Sequence, residues 1–406
     1  MTSCPWNIYA EQLLPLGYGH PLWYPEPVGG REILIGDVGW FRTNGQFTPL
    51  FNVKSSREGP VNQQIGVPRG FTVFDSPGSS SRTVFTNPNS IMQRSLCSRT
   101  VQTREVEAEL SAGSGDIAAS GSFAFQTTAD CGALVLLEPP AESADIESKR
   151  HIVNYMRRHF DSWLDFVNGQ EGMGLGLEEQ DILFVSGTTK TTHWGVAAFQ
   201  GNGSERKEGR ISAQFTPYAT ASFSVSLAHA SMPRSHYRYG PHPGQEASVP
   251  VTMSMLSQEV QPGLTAIKRD QCLFIHYYKM RRRRPLPKFA MRAAAGPHDL
   301  GPGSSDPGTS DSASIVSGSP SPDFVLDTLP DAEMLVDPVD HLLKYILDHS
   351  NAQMAVASDQ DVIALLTDLS GDVYEGILHA APEIEIDDLG GWSMLVSESG
   401  MNVWFF

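Results

Sequence analysis

The run from Ile211 to Leu227 alternates apolar and polar side chains over an unusual length. Successive side chains of a β-strand point to opposite faces of the sheet, so the pattern predicts a strand with one apolar and one polar face. A second β-like run, Ile182 to Phe199, precedes it across a polar and charged connection, and together the two runs predict a long hairpin. Because proline disrupts pairing within a central strand, a split at Pro217 is the alternative.

The segment from Val101 to Leu137 has a similar pattern and predicts a second long hairpin. Its first strand alternates Val, Ala and Leu with Glu, and its return strand alternates Phe123, Phe125 and small apolar residues with polar ones. The residues from Gly113 to Asp116 favour a turn between the two strands. After this hairpin, apolar residues recur at helical spacing from Ser148 to Val167, which predicts an amphipathic helix packed on the sheet.

Shorter elements complete the N-terminal part. Ile33 to Phe41 and Phe47 to Val53 flank the turn residues Thr43-Asn44-Gly45, which predicts a hairpin. The same patterns predict an irregular arm at 1–30 with at most one helical turn near Ala10 to Leu14, loops with short strands at 71–74 and 83–85, an irregular insertion at 230–263, and a last strand within 264–280.

The C-terminal part differs in composition. Residues 296–323 are rich in Gly, Pro, Ser and Asp and predict a disordered linker. Residues 324–406 predict a small acidic α+β module, with one helix starting at Pro338 and another capped by Ser358. The predicted fold class is therefore α+β: a β-rich twisted antiparallel sheet with long hairpins and a packing helix at 31–295, followed by this module.

Charge is distributed unevenly along the chain. Val325 to Phe406 carries 16 acidic residues and one Lys, so it holds −15 of the formal charge of −17. Net acidity argues against nucleic acid as a partner. One basic run stands out, formed by Lys279, Arg281, Arg282, Arg283, Arg284 and Lys288. It is either a solvated strand exit, a nuclear-localisation or nucleic-acid patch, a patch for anionic lipid, or a docking surface for the acidic module in cis.

Cysteine spacing and hydropathy favour a cytoplasmic protein. The four cysteines are far apart in the sequence and form no Cys-x-x-Cys pair, which is typical of reduced thiols and not of a zinc site. Neither a secretory signal nor an apolar run of membrane-spanning length is recognisable.

Motifs for catalysis or cofactor binding are incomplete. Gly172 to Gly176 follows a helix instead of a strand, Gly187 to Thr191 lacks phosphate-loop spacing, and Ser114 lacks a nucleophile elbow. The remaining candidates are three histidines whose spacings fit no metal motif: His229, His236 and His242. We therefore expect neither an enzyme nor a cofactor or metal site.

Two resemblances accompany these patterns. Three segments resemble a family of proteins from mushroom-forming fungi for which no activity is known: Pro15 to Pro27, Ile35 to Gly39, and Leu50 to Val53. The order of hairpins, helix and final strand between Ile33 and Met280 resembles the pore-forming domain of gasdermins. The closest local matches are Gly36 to Val38, Phe47 to Val53, Asp181 to Val185, and Ala266 to Phe274.

The second resemblance implies a mechanism. Basic residues recruit acidic membrane lipids, and two amphipathic hairpins per protomer insert side by side in a homo-oligomer, closing a sheet that satisfies every backbone group in lipid. A separate C-terminal domain restrains this activity until it is released. The residues expected to insert are Ile211, Phe215, Phe223, Val225, Leu227, Phe123 and Phe125.

A second hypothesis remains open. A soluble regulatory or scaffold protein could keep the same fold without enzymatic activity and bind a partner through the C-terminal module. The two hypotheses differ in whether the acidic module restrains the N-terminal part or serves as a binding surface of its own.

Overall fold

The chain has an α+β fold with a large, mainly antiparallel sheet and few helices, as predicted. The computed structural model describes residues 4–74, 84–106, 119–127, 131–169, 172–200, 207–216, 219–226, 234–241, 248–250, 265–283, 337–366, 373–386 and 392–395. One compact unit contains residues 1–283 together with 334–406.

Twenty strands and six α-helices lie within these residues. The strands are β1 (His20–Pro21), β2 (Asp37–Phe41), β3 (Phe47–Asn52), β4 (Val84–Ile91), β5 (Ser95–Cys97), β6 (Val101–Val106), β7 (Ala119–Thr127), β8 (Cys131–Leu137), β9 (Ala141–Ile146), β10 (Leu183–Thr191), β11 (Trp194–Gln200), β12 (Lys207–Thr216), β13 (Ala219–Ser226), β14 (Arg234–Gly240), β15 (Ser248–Pro250), β16 (Thr265–Ile267), β17 (Gln271–Arg282), β18 (Met354–Ser358), β19 (Ile384–Ile386) and β20 (Trp392–Leu395). The helices are α1 (Pro5–Leu13), α2 (Pro60–Gln63), α3 (Lys149–Asn168), α4 (Pro338–Asp348), α5 (Asp359–Leu366) and α6 (Val373–Ala380).

Strand β17 lies at the centre of the largest sheet, and both of its edges are paired. β10 pairs antiparallel with one edge along residues 271–278. On the other edge, β1 pairs at Phe274 and Ile275, and β18 pairs antiparallel from Tyr278 to Arg282. Segments from both ends of the chain therefore complete the same strand.

The far edge of β10 is also divided between two partners. β2 pairs with it at Leu183 and Phe184, and β9 pairs with it along residues 187–190. β3 continues the sheet beyond β2, and β4 continues it beyond β9. The predicted hairpin of β2 and β3 is confirmed, and Gly45 in its turn has a φ of 79°, in the left-handed region that favours glycine.

Eight strands form a second antiparallel assembly, which we call the ribbon. The sheet β14-β11-β8-β5 and the sheet β13-β12-β7-β6 have the same strand order, because each strand of one sheet neighbours its counterpart along the chain. Their inner pairs also keep a similar register, with Cys131 opposite Gln200 in one and Thr127 opposite Lys207 in the other. The predicted pairing of β6 with β7 is confirmed.

The prediction of one strand from Ile211 to Leu227 is wrong. β12 ends at Thr216 and β13 begins at Ala219, and the two pair antiparallel, with Ile211 opposite Val225. The chain therefore reverses direction between them. The physical reason is Pro217, which has no backbone N–H to donate to a central ladder and instead favours a turn.

The run Ile182 to Phe199 is not one strand either. It contains β10 and β11, which belong to different sheets, and β11 pairs with β8 and β14 instead of β12. Between the two strands, His193 Nδ1 lies 2.7 Å from a carboxylate oxygen of Glu138. The alternation of apolar and polar residues cannot reveal where the chain passes from one sheet to the other, since apolar residues continue on both sides of this point.

The N-terminal arm contains more helix than predicted. Helix α1 spans nine residues and begins with Pro5 at its first position. Ile8, Tyr9 and Leu13 are buried in one cluster with residues of β8 and β11. Because tertiary burial of one face stabilises short helices, intrinsic helix propensity alone underestimates the length of α1.

The amphipathic helix α3 is confirmed. Its buried side chains include Ile152, Val153, Met156, Phe160, Trp163 and Val167. They share a cluster with Val38, Phe51 and Phe184 of the central sheet. The ring of Trp163 stacks on Phe184 and contacts Phe51 edge-on, so this helix covers the sheet face formed by β2, β3 and β10.

The two predicted C-terminal helices are confirmed, and their buried residues pack against the central sheet. Helix α4 buries Val339, Leu342 and Leu343, and Ser358 and Asp361 exchange the hydrogen bonds of a capping box at α5. These helices share a hydrophobic cluster with residues of β10 and β17. We call residues 337–395 the C-terminal segment; it adds β18, β20 and β19 to the edge of β17.

Two further predictions are corrected, and one helix was not predicted. Residues 71–74 form no strand; Phe74 instead donates its backbone N–H to Val53 and packs against Tyr155 and Phe184. The insertion at 230–263 is not wholly irregular, because β14 pairs with β11. Helix α6 was not predicted. In each case contacts between distant segments decide the structure, and local patterns do not report them.

A buried polar network holds the loop after β3. The amide of Asn62 accepts from the backbone N–H of Asn52 at 2.8 Å and donates to the carbonyls of Asn52, Ser55 and Ser56. The amide of Asn52 donates to Asp37, whose carboxylate also bonds Arg31. Burial raises the pKa of Asp37 to about 6, although Arg31 opposes this rise.

We predict that Asn62→Ala lowers the free energy of unfolding by about 3 kcal/mol, because it leaves several buried backbone groups without partners. Denaturant unfolding measures this loss. Gln64→Ala, at an exposed position in the next turn, is the matched control and is expected to change stability by about 0.5 kcal/mol or less. Equal stability of the two variants would contradict the role assigned to the network.

Candidate functional site

The outer edge of β17 has a gap between its two strand partners. β1 pairs up to Ile275, and β18 begins pairing at Tyr278. Within this gap, the backbone N–H of Tyr277 donates to the carboxylate of Asp359 at 2.8 Å. A side chain from the start of α5 thus takes the place of a strand partner.

The same carboxylate binds a histidine. His276 Nδ1 lies 2.8 Å from the second oxygen of Asp359, whose side chain is buried. Burial by itself would lower the pKa of His276, but Asp359 outweighs burial and raises it, with Asp145 contributing. A histidine with a raised pKa stabilises the fold below its ordinary pKa and loses this contribution as pH rises through the folded value.

A buried ion cluster lies next to this contact. Lys279 Nζ is 2.6 Å from Asp340 and 3.1 Å from Asp337, and only 5 % of its side chain is exposed. Burial alone would lower the pKa of Lys279, but the two carboxylates raise it. The pKa of Asp340 is raised to about 6 by burial and by Asp337, whereas burial of Asp337 is outweighed by Lys279, which lowers its pKa.

Tyr277 and His20 complete the cluster. The Tyr277 hydroxyl lies 2.7 and 2.8 Å from the two oxygens of Asp337. The His20 ring contacts Tyr277 and Phe41, and burial lowers its pKa although Asp337 and Asp359 oppose this. We call the contact of His276, Tyr277 and Lys279 with Asp337, Asp340 and Asp359 the tail junction.

The predicted basic run is divided among several partners. Arg283 donates to the carbonyls of Leu347, Ser350 and Ala352 in the C-terminal segment. Arg282 pairs with Asp161 and Glu179 of the N-terminal part, and Arg281 lies opposite Ala355 in the β17–β18 ladder. Arg284 and Lys288 lie outside the described residues.

The residues expected to insert into membrane lie in the ribbon. In its backbone register, Phe123 is opposite Ile211, Phe215 is opposite Ala119, and Phe223 is opposite Ala213. Phe125 lies opposite Gly209, and Val225 lies opposite Ile211. Leu227 lies outside the described residues. The structure thus brings the two predicted hairpins together through β7 and β12.

The weaker motifs have structural explanations. Gly172 to Gly176 lies in the loop after α3, where Met173 and Leu175 donate to carbonyls of the last helical turn. Gly187 to Thr191 lies within β10, and His236 is exposed on β14. Ser114, His229 and His242 lie outside the described residues. No group of three or more metal-ligating side chains occurs in the described part of the chain.

The sequence places Lys279 in the basic run, for which a contact with the acidic module is one of the interpretations, but it does not identify Asp337 and Asp340 as the partners of Lys279. Lys279 lies in a strand whose neighbours Tyr278 and Met280 are buried. A lysine inside such an apolar run requires a buried counter-charge, and Asp337 and Asp340 at the start of α4 supply it. The tail junction joins β17 to the C-terminal segment through ion pairs, and the surrounding side chains bury its charged groups.

Comparisons with known protein families and with curated sequences find no match. No model of a known protein family matches the chain, and a search among curated proteins finds no similar sequence. Within the described residues, none of the helices is long and apolar enough to cross a membrane. The function must therefore be inferred from the chain's own residues.

We predict that Lys279→Met lowers the free energy of unfolding by about 3–5 kcal/mol near neutral pH, because it leaves Asp337 and Asp340 buried without their cation. Without the cation both carboxyl pKa values rise, so the penalty shrinks as pH falls and the carboxyls take up protons. Urea unfolding near neutral and mildly acidic pH measures both effects.

Lys344→Met is the matched control, since Lys344 forms an exposed pair with Asp348. It is expected to change stability by about 0.5 kcal/mol at either pH. A Lys279→Met variant whose loss of stability does not depend on pH would contradict the assignment of the buried carboxylates.

Proposed function

We propose that this protein is a latent membrane-permeabilising protein, similar to gasdermins, whose ribbon inserts into membrane after the C-terminal segment leaves β17. The single observation that carries this proposal is the ribbon itself. Two consecutive antiparallel hairpin systems, β5 to β8 and β11 to β14, are joined side by side through their inner strands. The strand order is kept over both of its sheets.

The dimensions and sequence of the ribbon support the proposal. A membrane-crossing strand requires about 9 to 11 residues, and β7 and β12 have nine and ten. Small and polar residues alternate with Phe123, Phe125, Ile211, Phe223 and Val225 along its strands. Such alternation gives a sheet one face suited to lipid and one suited to water.

The tail junction supports the restraint. β10, which pairs with β17, leads through two residues into β11 of the ribbon. β17, which holds the C-terminal segment, therefore pairs with the strand that leads directly into the ribbon. The acidic residues of that C-terminal part also repel anionic lipid, and the rest of the chain has a formal charge of only −2. Its release favours approach to acidic membrane lipids.

One observation favours the second hypothesis, a regulatory or scaffold protein. The C-terminal segment shares a hydrophobic cluster with β10 and β17, as the fixed parts of a domain do. Under this hypothesis the segment stays in place, and a partner binds its outer surface without membranes. A partner that binds both intact and linker-cleaved protein equally well would favour this alternative.

We predict that dye release from vesicles requires cleavage of the chain between the two parts. A site-specific protease sequence is inserted after Ser304 in the full chain, and intact or cleaved protein is added to vesicles with or without acidic lipid. Cleaved protein is expected to release dye several-fold faster from acidic vesicles than intact protein does. Asp337→Asn, which weakens the Lys279 ion pair, is expected to increase release further.

Asp348→Asn is the matched control, because Asp348 forms an exposed pair with Lys344 and does not contact Lys279. It is expected to leave release unchanged. If neither cleaved protein nor cleaved Asp337→Asn releases dye from acidic vesicles at micromolar concentration, the membrane proposal is wrong.

A further inference from the structure

A cavity of about 480 Å³ lies between the central sheet and two loops, away from the tail junction. Its floor includes Glu142 and Ala144 of β9 and Thr188 and Lys190 of β10, which the register places opposite each other. The loops before β2 and after β3 supply most of the remaining wall. Volumes of about 300–1,000 Å³ are typical of small-molecule sites.

Charged groups from five segments meet at this cavity. Both oxygens of Glu32 are used, one by Lys190 at 2.7 Å and one by Lys268 at 2.5 Å. These lysines hold the carboxyl pKa of Glu32 below its ordinary value, although burial opposes this. Arg269 pairs with Glu142 at 3.3 Å. The carboxylates thus hold these cations in position at the cavity.

The charge of the lining is positive on a chain that is strongly acidic. Lys54, Lys190 and Arg269 line the cavity against Glu32 and Glu142, and Lys268 adds a fourth cation through Glu32. Cations and carboxylates together give a formal charge of +2. A concave, positively charged site in an acidic protein focuses anions.

The loop wall is held in place before any ligand binds. Asn52, which lines the cavity, accepts from the backbone N–H groups of Lys54 and Ser55 and donates to Asp37. Gly36 has a φ of 83°, and a Cβ there would lie 2.8 Å from the Lys54 side chain. The stem of Lys54 therefore lies against the Gly36 backbone, which restricts the position of its ammonium group. A preformed site binds with a smaller entropic cost.

Part of the cavity lining is apolar. Leu34, Ile35, Val84 and Ala144 contribute to its lining. An inorganic anion alone would leave this surface and much of the volume unused. A lining that combines cationic and apolar side chains fits a ligand with an anionic group and a hydrocarbon body.

We propose that this cavity is a binding site for an organic phosphate monoester with an apolar body. A phosphate monoester carries a charge of about −1.5 to −2 near neutral pH, which matches the lining better than a single carboxylate does. Lysine binds phosphate as a point charge, and the arginine guanidinium can bind two of its oxygens. This site does not depend on the membrane proposal, because neither the ribbon nor the tail junction contributes to it.

Calorimetric titration of the full chain with hexyl phosphate tests the proposal. Hexyl phosphate is expected to bind about tenfold or more tightly than inorganic phosphate, hexanoate or hexanol, each of which lacks one recognised feature. Lys190→Met and Arg269→Gln are each expected to weaken hexyl phosphate binding about tenfold. Arg158→Gln, an exposed substitution of the same kind on α3, is the matched control and is expected to leave binding unchanged.

Arg269→Gln keeps the test decisive if Lys190→Met is poorly folded, because the Arg269 side chain is 38 % exposed. Absence of binding at millimolar hexyl phosphate, or binding that both substitutions leave unchanged, would overturn the proposal. Flotation with vesicles of phosphatidic acid identifies the source of the phosphate. Weaker flotation of both variants than of Arg158→Gln would assign a lipid headgroup, and equal flotation a soluble ester.

Discussion

The backbone groups on both edges of the buried strand β17 must have hydrogen-bond partners, and the rest of the structure depends on this constraint. A buried N–H without an acceptor costs about 1–3 kcal/mol. β10 satisfies one edge, and three pieces share the other: β1 near the N-terminus, the Asp359 side chain, and β18 of the C-terminal segment. A segment near the N-terminus and the C-terminal segment are therefore attached to one strand. The same strand carries Lys279, whose buried charge requires Asp337 and Asp340. Loss of the C-terminal segment would expose both an unpaired strand edge and an uncompensated cation.

This dependence connects the junction to the ribbon. β17 pairs with β10, and β10 passes through Thr192 and His193 into β11. A change at the outer edge of β17 thus lies one strand away from the start of the ribbon. The cavity lined by Lys190 and Glu142 lies on the opposite edge of β10, where β9 pairs. Strand β10 therefore pairs with the strand of the tail junction, leads into the ribbon and lines the cavity.

Much of the architecture follows from sequence patterns. The β2–β3 hairpin, α3, β17, α4 and the capping box at Ser358 each have a local signal that tertiary contacts reinforce. What alternation could not reveal is where strands end inside a continuous pattern. The corner between β10 and β11 and the reversal at Pro217 both occur without a break in apolar periodicity. The basic run was visible, but its central contact was not, because pairing of Lys279 with Asp337 joins residues 58 positions apart. The cavity was missed for the same reason, since its charges come from five separate segments.

The most direct test of the account is a reversible disulfide across β17 and β18. Arg282 lies opposite Met354, and opposed residues of antiparallel strands have Cα atoms about 4.5–5.5 Å apart, within the range of disulfides. The double variant Arg282→Cys with Met354→Cys is oxidised, the chain is cleaved at the inserted site after Ser304, and dye release from acidic vesicles is measured. The account predicts release only after reductant is added, with cleaved protein lacking the two substitutions active in both conditions. Equal release from the oxidised and reduced double variant would contradict the claim that departure of the C-terminal segment from β17 controls membrane activity.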